Sequence, residues 1–204
     1  MEIKKDTDLS FDEEKSLDVM KAAIATSKRA LMSDGLLLLL WGVALSISNF
    51  YNYYKSVYLT AWWMRNLMDI MQILMGISIL VITAYFIFRK HKVTTYTAIS
   101  TRFVWIGVIL AHNIVVIITK TILNDINFVL LQPIQLVLIG FALFISGGLY
   151  RYYLLVASGV VMWVAAATAA HFDLTHQYLI RAIAEVICFI IPGTLMYASR
   201  KKIN

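Results

Sequence analysis

Arg65, Asp69 and Gln72 follow one another at i, i+4 and i+7, so a helix over this stretch carries all three on one face. Arg181 and Glu185 repeat the i, i+4 spacing. His112 and Asn113 stand in the middle of another apolar block, Gln132, Pro133 and Gln135 open a fourth, and His171, Asp173 and His176 gather around the end of a fifth. Such groups are costly in hydrocarbon, so they normally face a bundle interior or a water-filled cavity and pair with one another. Two carboxylates, an imidazole and several amides facing one cavity are chemistry for holding a small polar ligand or relaying a proton. The candidate ligand-binding set is Arg65, Asp69, Gln72, His112, Asn113, Gln135, Arg181 and Glu185. The plainer reading makes Arg65–Asp69 and Arg181–Glu185 ion pairs within single helical turns near the interface, where arginine can snorkel. It makes His112 a core histidine bonded to a neighbouring carbonyl. Pro133 lacks a donor N–H and can free carbonyls at the start of its helix to line a cavity.

Other chemistry finds no support. His112, His171, Asp69 and Glu185 are the only plausible metal set, and no HxxxH or ExxH pair lies on one helix, so no metal centre is expected. There is no GxSxG elbow, no phosphate-binding glycine loop and no dinucleotide fingerprint. The chain therefore reads as non-enzymatic and without a cofactor. Cys188, the single cysteine, excludes an intrachain disulfide and reads as a small core residue.

The elements that must position these side chains are membrane helices. The 204 residues are 60% hydrophobic, against about 45–50% for soluble domains. Mean hydropathy is +0.75. The apolar residues fall into blocks of roughly 20, the length that crosses about 30 Å of hydrocarbon. The expected fold is all-α: a polytopic transmembrane bundle over residues 35–199 with spans at 36–54, 67–88, 103–123, 129–148, 152–170 and 178–198. Ala157, Gly159, Ala165, Ala166, Ala167, Ala169 and Ala170 suit a close-packed fifth helix, as Gly140, Gly147 and Gly148 do for the fourth. The tyrosines and tryptophans between Tyr51 and Trp63 suit a membrane–water interface.

A lead segment, 1–34, precedes the bundle and a basic tail, 200–204, follows it. Residues 10–33 read as an amphipathic helix opened by a Ser10–Glu13 capping box, with Leu17, Met20, Ile24 and Leu31 on one face. Lipid at the cytoplasmic surface is the expected partner of that face, and a protein partner is the rival. The polar lead lacks the pattern of a cleavable signal, so the first span is expected to stay as an anchor. Of the 18 Lys and Arg residues, 14 fall on the side of both termini and four, Lys55, Arg65, Lys120 and Arg181, on the other. That bias places both termini in the cytoplasm of an inner-membrane protein. The net charge of +6 marks topology and lipid headgroups rather than nucleic acid. Nearly all the intramembrane polar residues then lie in the outer half, as for a cavity open outward and built from spans two, three, four and six.

The stretch Glu14-Lys15-Ser16-Leu17 through Ser27-Lys28, followed by Gly35 and the run Leu36–Leu40 into Trp41-Gly42, resembles the N-terminal signature of a family of uncharacterised bacterial integral membrane proteins. Ile191-Pro192-Gly193-Thr194-Leu195, with Arg200-Lys201-Lys202 behind it, is similar to that family's ending. The resemblance covers about a third of the chain. It implies a surface helix ahead of a six-span bundle and, since members often adjoin small winged-helix regulators, a regulatory or envelope-stress role. Read without the family, Gly42 allows a close helix contact and Pro192-Gly193 kinks the last span. The expected function is ligand or partner binding at the outer cavity, reported through the lead helix. The alternative is a small transporter or the substrate-binding membrane subunit of one. Oligomeric state is not legible.

Overall fold

A computed structural model describes residue 18 and residues 35–59, 61–89 and 96–201. Apart from Asp18, which is helical, the expected surface helix over 10–33 lies outside the described residues, as do 90–92 and the end of the basic tail.

All regular structure among the described residues is helical. The elements are α1 (Gly35–Tyr58), α2 (Trp62–Arg89), α3 (Tyr96–Leu123), α4 (Phe128–Tyr150), α5 (Tyr153–Ala169) and α6 (Leu174–Glu185). A π-helical turn (Val186–Ile190) joins α6 without a break to α7 (Ile191–Lys201). Five segments are long and apolar enough to cross a membrane: Gly35–Tyr58, Trp62–Tyr85, Ile99–Leu123, Phe128–Tyr150 and Leu174–Ala198. The fifth expected span differs. α5 has 17 residues, about 25 Å at 1.5 Å per residue, and falls short of the other five. Several helices outrun their expected limits. α2 starts at Trp62 rather than 67 and α6 at Leu174 rather than 178, because polar residues continue each helix beyond its apolar stretch.

Local sequence accounts for the turns. The Asn127 side chain accepts from the Leu130 N–H at 3.1 Å and so caps α4, satisfying one of the free donors of its first turn. α4 ends where Arg151 turns left-handed (φ 52°), and the Tyr152 N–H reaches the Gly147 carbonyl at 2.8 Å. α4 and α5 thus form a tight hairpin.

That hairpin and the last span make the core. Leu136, Ile139 and Leu143 of α4 pack with Leu155, Met162 and Ala166 of α5 and with Ala184, Cys188 and Phe189. At the α4–α5 crossing, a Cβ on Gly159 would stand 2.7 Å from the Gly140 carbonyl, so the helices meet backbone to backbone. The Trp163 indole N–H closes this contact on the Val137 carbonyl at 3.2 Å. Of the other expected small-residue contacts, Gly147, Ala166 and Ala169 are buried, whereas Ala157, Ala167, Ala170 and Gly148 face outward.

α1 lies against the other side of the last span. A Cβ on Gly42 would sit 2.6 Å from the Phe189 Cβ and 3.2 Å from the Ile190 backbone nitrogen, which is the close contact anticipated at this glycine. α2 is tied to α1, for example by the Trp41 indole donating to the Thr83 hydroxyl at 2.9 Å. α3 packs on α4, with Trp105 against Phe189 at a ring separation of 6.3 Å. Most of the surface of α2 and α3 points away from the bundle. Tyr58, Trp62 and Trp63 are exposed around the α1–α2 turn, as an interfacial aromatic belt would be.

The glycines provide an internal comparison. Gly42→Val forces atoms into Phe189 and the backbone at Ile190, and overpacking of this kind costs about 1–3 kcal/mol. A Cβ on Gly76 meets nothing within 4 Å, so Gly76→Ala should be neutral or slightly stabilising through helix propensity. Thermal unfolding of the purified protein in detergent should fall by several degrees for the first substitution and not for the second.

Candidate functional site

Arg181 and Glu185 stand about two and about three turns into α6. Their expected i, i+4 pair forms, with Arg181 Nε donating to Glu185 Oε1 at 2.9 Å. It does not snorkel at an interface. Arg181 is 4% exposed and Glu185 is not exposed at all. A charged pair so deeply buried needs its remaining donors and acceptors matched. α4 and α1 supply the partners. Arg181 Nη1 donates to Gln132 Oε1 at 2.5 Å and to Gln135 Oε1 at 2.7 Å. Asn49 Nδ2 donates to the second carboxylate oxygen of Glu185 at 2.8 Å. One guanidinium and one carboxylate therefore link α1, α4 and α6.

His112 of α3 is half-buried. Its Nδ1 is buried without a hydrogen-bond partner among the described residues, which removes the expected bond to a neighbouring carbonyl at that atom. The next residue, Asn113, does not join the cluster. Its side chain is exposed and donates to the Ile109 carbonyl one turn back.

The second polar group lies between α1 and α2. The spacing predicts an Arg65–Asp69 pair, but Asp69 instead takes Lys55 of α1, whose Nζ lies 2.5 and 2.6 Å from its two oxygens. Arg65 turns back to donate from Nε to the Leu59 carbonyl at 2.7 Å. The hairpin brings Lys55 within reach of Asp69, and a cross-hairpin pair wins over the intrahelical one. Gln72 bonds the Ser48 hydroxyl, again across the hairpin. The Tyr51 hydroxyl is buried nearby without a partner among the described residues.

Asn52, Lys55, Ser56, Arg65, Leu174 and Tyr178 line a cavity of about 340 Å³ at the Tyr58 end of the bundle. It is built by α1, α2 and α6, not by spans two, three, four and six. Of the eight expected ligand-binding residues only Arg65 lines it. Arg181, Glu185 and Gln135 converge beneath it, with Tyr178 and Asn52 one turn from Arg181 and Asn49 on the same helix faces. Asp69 and Gln72 brace its α1–α2 wall, and Asn113 is elsewhere. Asp69, His112 and Glu185 do not meet. Among the described residues no three His, Cys, Asp or Glu side chains are grouped to hold a metal ion. Asp173 and His176, at the start of α6, bond each other, and this bond holds the exposed Asp173 carboxyl below its ordinary value.

Asn49, Asn52, Lys55, Ser56, Gln132 and Tyr178 are polar participants that the candidate set leaves out. A signal for three of the α1 residues exists: Asn49, Asn52 and Ser56 recur with Ser46 at spacings of three, three and four, a polar stripe along an apolar helix.

Removing one partner of a buried pair strands the other charge, at a cost of about 3–5 kcal/mol, whereas replacing both is far milder. Arg181→Met and Glu185→Leu should therefore each lower the thermal stability of the detergent-solubilised protein sharply. The double variant should recover most of the loss. Additive losses would mean that the two groups are not coupled.

No family model, curated protein or solved structure matches this chain.

Proposed function

We propose that this chain is a non-enzymatic bacterial inner-membrane protein whose outer end binds a small anionic ligand. The cavity at the Tyr58 end carries the reading. Its volume suits a small molecule, and its lining holds two cations, Lys55 and Arg65, and no carboxylate. Asp69 balances Lys55, which leaves the Arg65 guanidinium as the excess positive charge, with a planar fork suited to a carboxylate or phosphate. Asn52, Ser56 and Tyr178 add neutral donors, and the positive end of the α6 dipole lies alongside. The buried Arg181–Glu185 network beneath links α1, α4 and α6, so a ligand that moved α1 or α6 would be felt across the bundle.

The topology belongs to the same proposal. α5 is counted as a sixth span, because about 17 residues is the short limit for crossing and an even number returns both basic termini to one side. The 14-to-4 bias of Lys and Arg supports a cytoplasmic location for that side and an outward-facing cavity. The resemblance of the two ends of the chain to a bacterial membrane-protein family supports the bacterial setting. The lead segment would then lie on the inner face, against lipid or a protein partner, as the reporting element of a regulatory protein.

A small transporter is the second reading. The π-helical turn directly after Glu185 favours it, since wide turns often mark functional sites and transporters interrupt helices near their binding residues.

Titration of the purified protein with inorganic phosphate and with acetate, against chloride, should raise its melting temperature saturably for at least one anion. Arg65→Gln should weaken that effect about tenfold or more. Absence of any anion-specific shift, or an unchanged Arg65→Gln response, rules the site out. Cys188 is fully buried and leaves the native chain as a silent background for thiol labelling. A cysteine at Ser56 should react with an impermeant maleimide from the periplasmic side; reaction only in inverted vesicles would reverse the orientation. On the transporter reading, phosphate or acetate enters proteoliposomes and Glu185→Gln, if it inserts normally, abolishes the flux. Retained flux removes Glu185 from such a mechanism.

A further inference from the structure

Asn113 presents a problem of its own. It lies near the middle of the candidate span Ile99–Leu123, on the surface of α3 that turns away from α4. In a bilayer that surface meets hydrocarbon, which offers no hydrogen bonds. Exposed hydroxyls in the apolar helices solve this locally: Ser78, Thr121 and Thr168 each donate their single proton to a carbonyl one turn back. A carboxamide cannot be satisfied that way. Asn113 has two N–H donors and an acceptor oxygen, and its one bond, 2.8 Å to the Ile109 carbonyl, uses a single donor. Its oxygen accepts from no group among the described residues.

The residues around it form a pattern. Ile99, Phe103, Ile106, Leu110, Asn113 and Ile117 follow at spacings of four, three, four, three and four. This is the 3.5-residue repeat of a helix–helix seam. All six are exposed, Phe103 at 70% and Ile117 at 63%. α2 does not cover this seam, and α3 makes its contacts with α4 and Phe189 through another side.

We propose that this face of α3 is the interface of a homodimer, with Asn113 bonded to its counterpart across a two-fold axis along the membrane normal. Depth identifies the occupant. A second copy inserts in the same orientation, so its Asn113 stands at the same level in the bilayer. The amide is self-complementary, each donating to the oxygen of the other, and a two-fold axis satisfies both at once. A different partner would need a polar group at that level independently. A single asparagine in an apolar seam fixes register and the number of helices, and it does so where competing water is absent.

The test uses the full chain in native membranes. Leu110→Cys and Ile117→Cys, each with the native buried Cys188, should form disulfide-linked dimers under mild oxidation. Ile73→Cys on the exposed face of α2, at 62% exposure, is the control and should not. Adding Asn113→Leu should reduce cross-linking at position 110 about tenfold, and Asn113→Gln should restore part of it. Mass photometry of the detergent-solubilised protein should move from dimer toward monomer in Asn113→Leu. The proposal fails if positions 110 and 117 cross-link no better than 73, or if Asn113→Leu leaves the dimer fraction unchanged. Cross-linking of positions 110 and 117 only to a chain of different mass would assign the face to another protein and also overturn it.

Discussion

Arg181 and Glu185 are buried together in a region where no solvent can screen or hydrate them. Each charge is tolerable only because the other is 2.9 Å away and because amides complete its hydrogen bonds. The amides come from α1 and α4, so the geometry of three helices is dictated by the need to satisfy one ion pair. Apolar packing alone would leave the rotation of α1 against α6 loosely specified, since leucine and isoleucine fit many registers. The bonds from Asn49 to Glu185 and from Arg181 to Gln132 and Gln135 accept only one. The cavity follows from this. Once Asn49 faces Glu185, Asn52 and Ser56 above it must face the start of α6, and the α1–α2 hairpin brings Lys55 and Arg65 to the same opening.

Close backbone contacts do the rest of the positioning. Gly42 lets α1 approach Phe189, and Gly140 and Gly159 let α4 and α5 touch. In lipid, where tails solvate apolar side chains as well as a protein interior does, such contacts and polar bonds carry helix association. The short α5 fits this picture. It is held along its length by α4 and the last span, so its neighbours, rather than its own apolar length, specify its place.

The apolar blocks, their approximate limits and the contact at Gly42 were legible because length, hydrophobicity and small residues are local properties. So was the Arg181–Glu185 pair, which one helical turn dictates. The partner of Asp69 was not. Lys55 and Arg65 are both within plausible range, and only the path of the α1–α2 turn decides between them. Asn49 belongs to a polar stripe that marks one face of α1 but not its partner, because Glu185 lies 136 residues away and meets it only once the helices are placed. Asn113 was misassigned for the complementary reason. Adjacent residues on a helix point about 100° apart, and of this pair His112 is half-buried while Asn113 is exposed.

The turn at Val186–Ile190 has a consequence for the phase of the last span. A π-helical turn holds one residue more than an α-helix would, and each residue advances the helix by about 100°. Everything after it, including the face on which Gly193 meets Leu39 and Met196 meets Gly35, is rotated by that amount relative to Glu185. The two halves of the span address the same neighbour, α1: Glu185 through Asn49, and Gly193 and Met196 through Leu39 and Gly35. One half grips α1 through a hydrogen bond to charge and the other through glycine. Conversion of that turn to regular α-helix would rotate one grip against the other by about 100°.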